Sequence, residues 1–380
     1  MTTQHSRREF LQTTSGVACG TLVAHHLLAA EAAAPREVDP VSISVIDGSP
    51  RERGRRYGAL FRDKIHAFRD KEIYGAFVEK PAPKDQMLRY AGACAKAIRG
   101  YSPIIFDELE GMAEGATMPL EELVLISLHE GLWHRRVLPP IEHCTAVAVG
   151  PPDTSDGHTY VGQTWDWMHS VAGLSSMLLW KRSEGPSLLA YGYPGLPVGA
   201  GMNSAGLALC WTSAGTGIET SGPRVGIPSY ILLTHLLHQE SLADVAREAR
   251  RATCAGWFTF VMGDGEGNLL NIEGSPQDLV IEEHRGRLAS VSYGSRQMTG
   301  TPAGQKPRFR GRCEKMYSLL TSQKSDRSVV EEYFQNPAHG ICHDSTLDMM
   351  LFDTTARAAY ASRSAAYGLR WEKFTFEHKV

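Results

Sequence analysis

The chain has 380 residues, 42% hydrophobic and 21% charged, with 37 Gly and 20 Pro. That mix excludes collagen-like repeats, a coiled coil and wholesale disorder. Lys plus Arg is 39 against 42 Asp plus Glu, a formal net charge of -3, and no segment concentrates basic residues, so no nucleic-acid partner is expected.

Residues 1–34 read as an address. Ser6-Arg7-Arg8-Glu9-Phe10-Leu11 is a twin-arginine pattern, followed by a weakly apolar stretch from Gly16 to Ala30 and a small-residue run before Pro35. This predicts an export signal read by the twin-arginine translocation machinery, and a periplasmic or secreted protein. Beyond it no apolar run nears the roughly 20 residues of a spanning helix, so no membrane span is expected after signal removal. Proteins on this route fold before export, so folding cannot depend on disulfides made outside. Six cysteines remain, Cys94, Cys144, Cys210, Cys254, Cys313 and Cys342, none in CxxC spacing.

Residues 35–143 form a helical segment. Arg51 to Trp133 carries apolar residues at helical spacing, with helices at Arg55–Ile73, Asp85–Ile98 and Pro103–Ala113. A further helix is expected after a Thr117 cap, with Pro119 in its first turn. Residues 144–380 switch to period two. Strands are expected at 144–149, 160–167, 177–181, 187–193, 199–202, 206–211, 257–262, 269–273, 346–353 and 358–362. Helices at 228–238 and 241–251 lie between them, with two more near 312–320 and 328–334. Hairpins with intervening helices predict antiparallel sheet layered with helices, an α+β fold and not a parallel Rossmann sheet.

Several chemistries can be weighed. Gly263-Asp264-Gly265-Glu266-Gly267 joins two strand patterns, so it reads as a hairpin turn and not a phosphate cradle. His129 and His134 are five apart, placing them about 140° apart on a helix, too far to share a zinc ion. His235 and His238 share a face but have no third ligand at a recognisable spacing. No metal or cofactor is expected. Gly201-Met202-Asn203-Ser204-Ala205-Gly206 lacks the spacing of a serine elbow. Cys144 remains, opening an apolar strand where the helical half meets the sheet-rich half.

Around it, His143-Cys144-Thr145-Ala146-Val147-Ala148 and Gly162-Gln163-Thr164-Trp165-Asp166-Trp167 resemble the acyl-coenzyme A:6-aminopenicillanic acid acyltransferase family, peptidase family C45. This is a branch of the N-terminal nucleophile hydrolases. Glu52-Arg53-Gly54-Arg55-Arg56-Tyr57-Gly58, Leu109-Glu110-Gly111-Met112-Ala113-Glu114-Gly115-Ala116, Met202-Asn203-Ser204-Ala205-Gly206 and Gly340-Ile341-Cys342 continue the likeness, which runs from about Ile43 to the C-terminus.

The resemblance implies a four-layer αββα N-terminal nucleophile hydrolase sandwich with an N-terminal helical segment. It also implies self-cleavage between His143 and Cys144, which frees an α-amine with a reference pKa of about 8 to act as base for the adjacent thiol. Asp166 is implied to hold that ammonium, and Asn203 to help bind the tetrahedral oxyanion. The substrate is then a small-molecule N-acyl amide or acyl donor, with the acyl group passing through a thioester. Three positions depart from the pattern. Thr164 stands where the family usually has asparagine. No second asparagine follows the strand near Leu288, and His343-Asp344 stands where an arginine is usual. These departures motivate the alternative of a binding protein that has lost catalysis. A bile-salt- or ceramide-type amide hydrolase is the further alternative.

Overall fold

The computed structural model describes residues 38–75, 84–128, 144–212, 224–291 and 310–377. The predicted export signal, His129, His134 and His143 lie outside them. Among the described residues, fourteen strands form two sheets.

The first sheet has the order β1-β4-β5-β6-β7-β8-β9-β10, built from β1 (Ile43–Ile46), β4 (Ser176–Trp180), β5 (Leu188–Tyr193), β6 (Leu196–Asn203), β7 (Ala208–Thr212), β8 (Phe258–Gly263), β9 (Asn268–Gly274) and β10 (Leu279–Arg285). The second has the order β11-β2-β3-β12-β13-β14, built from β2 (Thr145–Val149), β3 (Tyr160–Asp166), β11 (Arg287–Val291), β12 (Thr346–Asp353), β13 (Ala358–Arg363) and β14 (Glu372–Thr375). Only the β1–β4 pair is parallel. The expected hairpins are present, including the turn between β8 and β9 at Gly263–Gly267. Strands β1, β10 and β14 were not anticipated: each lies at an edge of its sheet, and β10 has no clear alternation of buried and exposed residues.

Helices cover both outer faces. Over the first sheet lie α1 (Pro50–Leu60), α4 (Pro103–Ala116), α5 (Leu120–Ser127) and α6 (Ser229–Leu236). Over the second lie α8 (Arg310–Ser322), against β11 and β2, and α9 (Arg327–Gln335), against β12 and β3. The chain is thus the expected helix–sheet–sheet–helix sandwich. α2 (Arg62–Phe68), α3 (Lys84–Tyr101) and α7 (Leu242–Arg251) complete the α-helices among the described residues. None is long and apolar enough to cross a membrane.

Local chemistry sets the helix ends. Pro50 opens α1, and the backbone N–H of Ser49 donates to Glu52 at 3.0 Å. Ser241 caps α7 by accepting from the Asp244 N–H at 3.1 Å, as its position predicts. Thr117 does not start α5: with φ 56° it terminates α4 in the left-handed region, and Pro119 precedes the next helix. The α4 C-terminus claims Thr117 through N–H bonds to the Ala113 and Glu114 carbonyls.

Candidate active site

Strands β2 and β3 are paired so that Thr145 lies opposite Thr164. That register brings Cys144, just before β2, to Asp166 at the end of β3. The Asp166 backbone N–H donates to the Cys144 sulfur at 3.4 Å. Cys144 is 5% exposed and free of any disulfide. Cys210 on β7 is fully buried beneath it; burial first, and then the proximity of Cys144, push the Cys210 thiol well above its ordinary value. Cys210 therefore stays protonated, a neutral neighbour to the more accessible sulfur.

The Asp166 side chain is buried and tightly held. One oxygen accepts from the Arg312 guanidinium at 2.7 Å and the other from the Thr346 hydroxyl at 2.7 Å. Burial pushes the carboxyl above its ordinary value, opposed by the charge of Arg312 and the hydrogen bonds from Thr346, Arg312 and Thr164. The site thus contains a desolvated carboxylate on one fixed cation, next to a thiol. Cys342 lies at its rim, its thiol lifted to about 11, first by burial and then by the Asp166 charge.

Trp165 and Gln163 build the adjoining wall. β6 and β7 pair only at Gly201–Leu209 and Met202–Ala208, then part. Into the gap the Gln163 amide oxygen reaches to accept the Trp211 N–H at 2.7 Å, replacing the missing strand partner. The Trp165 ring packs against Tyr191, Tyr193 and Trp211, and a Cβ at Gly199 would come within 2.8 Å of it. An aromatic wedge from the sheet that begins at Cys144 thereby opens the facing sheet.

Of the sequence-predicted residues, the structure brings Cys144 and Asp166 together and places Asn203 apart. The Asn203 amide donates to the Leu237 and Gln239 carbonyls at 2.9 and 2.7 Å, and its oxygen accepts the Leu207 N–H at 3.0 Å. Both amide protons and one lone pair of its oxygen go to closing the β6–β7 turn and tying it to the end of α6. That turn abuts Thr354, which pairs with Thr159 at the start of β3. Asp166 lies at the other end of that strand, roughly 20 Å away at 3.3 Å per residue.

Arg312 escaped the sequence reading. It belongs to an arginine-rich approach to a helix, with no distinguishing spacing, and only the packing of α8 on the second sheet carries it to Asp166. It supplies the cation at the Asp166 carboxylate. Among the described residues no group of three or more His, Cys, Asp or Glu is placed to hold a metal ion.

Residues 153–372, more than half of the chain, match the family described as acyl-coenzyme A:6-aminopenicillanic acid acyl-transferase. The chain belongs to this family. The matched stretch contains Asp166 and Arg312 and begins after Cys144. Solved structures similar to this acyltransferase-family chain include penicillin V acylase from Agrobacterium tumefaciens, at 14% identity, 60% of this chain, 85% of that chain and a TM-score of 0.42. A mutant of conjugated bile acid hydrolase from Clostridium perfringens is similar at 13% identity, 61% of this chain, 96% of that chain and a TM-score of 0.41. No curated protein sequence matches the chain.

Proposed function

We propose that this acyltransferase-family chain is an exported, self-processing N-terminal cysteine enzyme that cleaves or transfers the acyl group of an N-acyl amide through a thioester on Cys144. The observation that carries this reading is the Asp166 N–H on the Cys144 sulfur, with the Asp166 side chain clamped by Arg312 and Thr346. In the uncut chain the Cys144 nitrogen belongs to a peptide bond and has no basic lone pair. Attack of the Cys144 sulfur on the His143 carbonyl breaks that bond, forming a thioester and releasing the α-amine, and hydrolysis of the thioester then frees the Cys144 thiol and a His143 carboxylate. This amine, with a reference pKa of about 8, accepts the thiol proton.

The thiolate then adds to the substrate carbonyl while the Asp166 amide hydrogen bonds to sulfur. The ammonium returns its proton to the departing amine. Water or an acceptor amine, deprotonated by the α-amine, attacks the thioester and releases the acyl group. Asp166 holds the ammonium near sulfur, and Arg312 keeps Asp166 ionised at the position where it is needed.

The test is turnover of a panel of N-acyl amides by purified protein. The reading requires that Cys144→Ala and alkylation by iodoacetamide each reduce turnover at least 1,000-fold while the fold persists. Turnover that survives both treatments refutes it.

A further inference from the structure

Thr164 is a fully buried threonine where the family usually has asparagine. Its hydroxyl oxygen accepts the backbone N–H of Thr145 at 3.1 Å. That N–H belongs to the peptide bond immediately after Cys144. A hydroxyl has one proton to give in addition to its lone pairs, and Thr164 lies two residues before Asp166 on the same face of β3, where that hydroxyl favours the ionised Asp166 carboxyl. Asp166 in turn donates its own N–H to the Cys144 sulfur at 3.4 Å. The peptide after Cys144, the Thr164 hydroxyl, Asp166 and the sulfur thus lie side by side.

We propose that Thr164 is the positioning residue that fixes the reactive chain end, by fastening the Cys144–Thr145 peptide plane and the Asp166 carboxylate to one hydroxyl. This rests on the proposed Cys144 chemistry and gives a role to the residue that departs from the family pattern. Once the chain is cut before Cys144, that residue is tethered by a single peptide link, so the plane of this link governs where both its sulfur and its nitrogen point. Regular strand pairing cannot serve this purpose alone, because a main-chain acceptor has no proton to pass to Asp166. Asparagine could supply both an acceptor and a donor; threonine does so with one atom, and serine retains that capacity while valine, of equal shape, does not.

The groups facing Asp166 are Arg312 from α8, Thr346 at the start of β12, and Cys342 before it, with Asp344 acting on Cys342. Thr164→Val leaves all of these in place and removes one donor to the carboxylate. Steady-state kinetics across pH on the processed enzyme should therefore show kcat reduced about 10- to 100-fold, the range for losing a hydrogen bond to a charged group, with KM changed less than threefold. The acid limb of the profile should move to higher pH, and Thr164→Ser should restore both. Wild-type kcat and acid limb in Thr164→Val, or a Thr164→Ser variant impaired as badly as Thr164→Val, would overturn the proposal.

Two readouts do not need turnover. NMR titration of Asp166 should move upward in Thr164→Val, and amide exchange at Thr145 should accelerate. If wild type shows no Cys144-dependent activity, the catalytic reading fails while these two measurements still decide the positioning role. If Thr164→Val does not fold, they are made on Thr164→Ala. An unmoved Asp166 titration together with unchanged Thr145 exchange rejects the role.

Discussion

Asp166 and Arg312 are both removed from water, and the cost of burying each charge is offset by the other. Removing one partner leaves an unpaired buried charge, so Arg312→Met should destabilise by about 3–5 kcal/mol in urea unfolding. Replacing both, with Asp166→Asn added, should recover most of that loss while turnover stays abolished. Such a pattern separates a pair retained for chemistry from one retained for stability. The sign of the pH effect agrees: because burial raises the Asp166 carboxyl above its ordinary 3.8, ionisation opposes folding, and this contribution weakens the native state as pH rises above that value. Asn203 should behave differently. Asn203→Ala strands the Leu237 and Gln239 carbonyls, so it should cost about 1–3 kcal/mol of stability with kcat/KM within a few-fold of wild type. Cys144 and Asp166 were legible because flanking residues marked them. Arg312 was not, because its role depends on a helix crossing a sheet and no local pattern encodes that crossing.

At the scale of elements, two family-like motifs acquire a physical explanation. Gly54 and Gly58 on α1 meet Gly111 and Gly115 on α4, and the helices run side by side in the same direction. A Cβ at Gly58 would lie 2.2 Å from the Met112 carbonyl oxygen, and one at Gly115 would lie 2.1 Å from that of Arg55. These are backbone contacts that cannot yield without separating the helices. The close approach seats Arg53 against Glu108 at 2.6 Å, with the Trp180 indole donating to the same oxygen at 3.0 Å. Gly58→Ala and Gly115→Ala should therefore each lower the unfolding midpoint, whereas Gly100→Ala on α3, with nothing within 4 Å, should raise stability by about 0.5–1 kcal/mol. Periodicity located both helices, and spacing showed the glycines. That each pair packs against the other is a long-range fact, as is the parting of β6 and β7 around Trp165. The local hairpins were readable because each one is closed by its own turn.

The whole molecule binds its helical half to its sheet-rich half through shared structure: β1 pairs with β4, and Arg53 reaches Glu184 as well as Glu108. Burial alone would raise the Glu184 carboxyl, but the hydrogen bond and charge of Arg53, a backbone donor and Arg182 outweigh it and hold it at about 2, below the ordinary 4.5. A lowered folded value means stability that is present above the ordinary value and lost as pH falls toward about 2. Glu184→Gln should flatten the stability–pH curve in that window. The two halves should thus remain associated under the proposed cleavage before Cys144. None of the six described cysteines is in a disulfide, so reductant should leave the melting temperature unchanged. The most direct test of the central claim is the covalent state of the Cys144 nitrogen in active protein, read by denaturing mass spectrometry and N-terminal sequencing. The account predicts a fragment running from Cys144 to Val380 with a free amino terminus, in proportion to activity. Full activity in material whose Cys144 is still joined to His143 would contradict it.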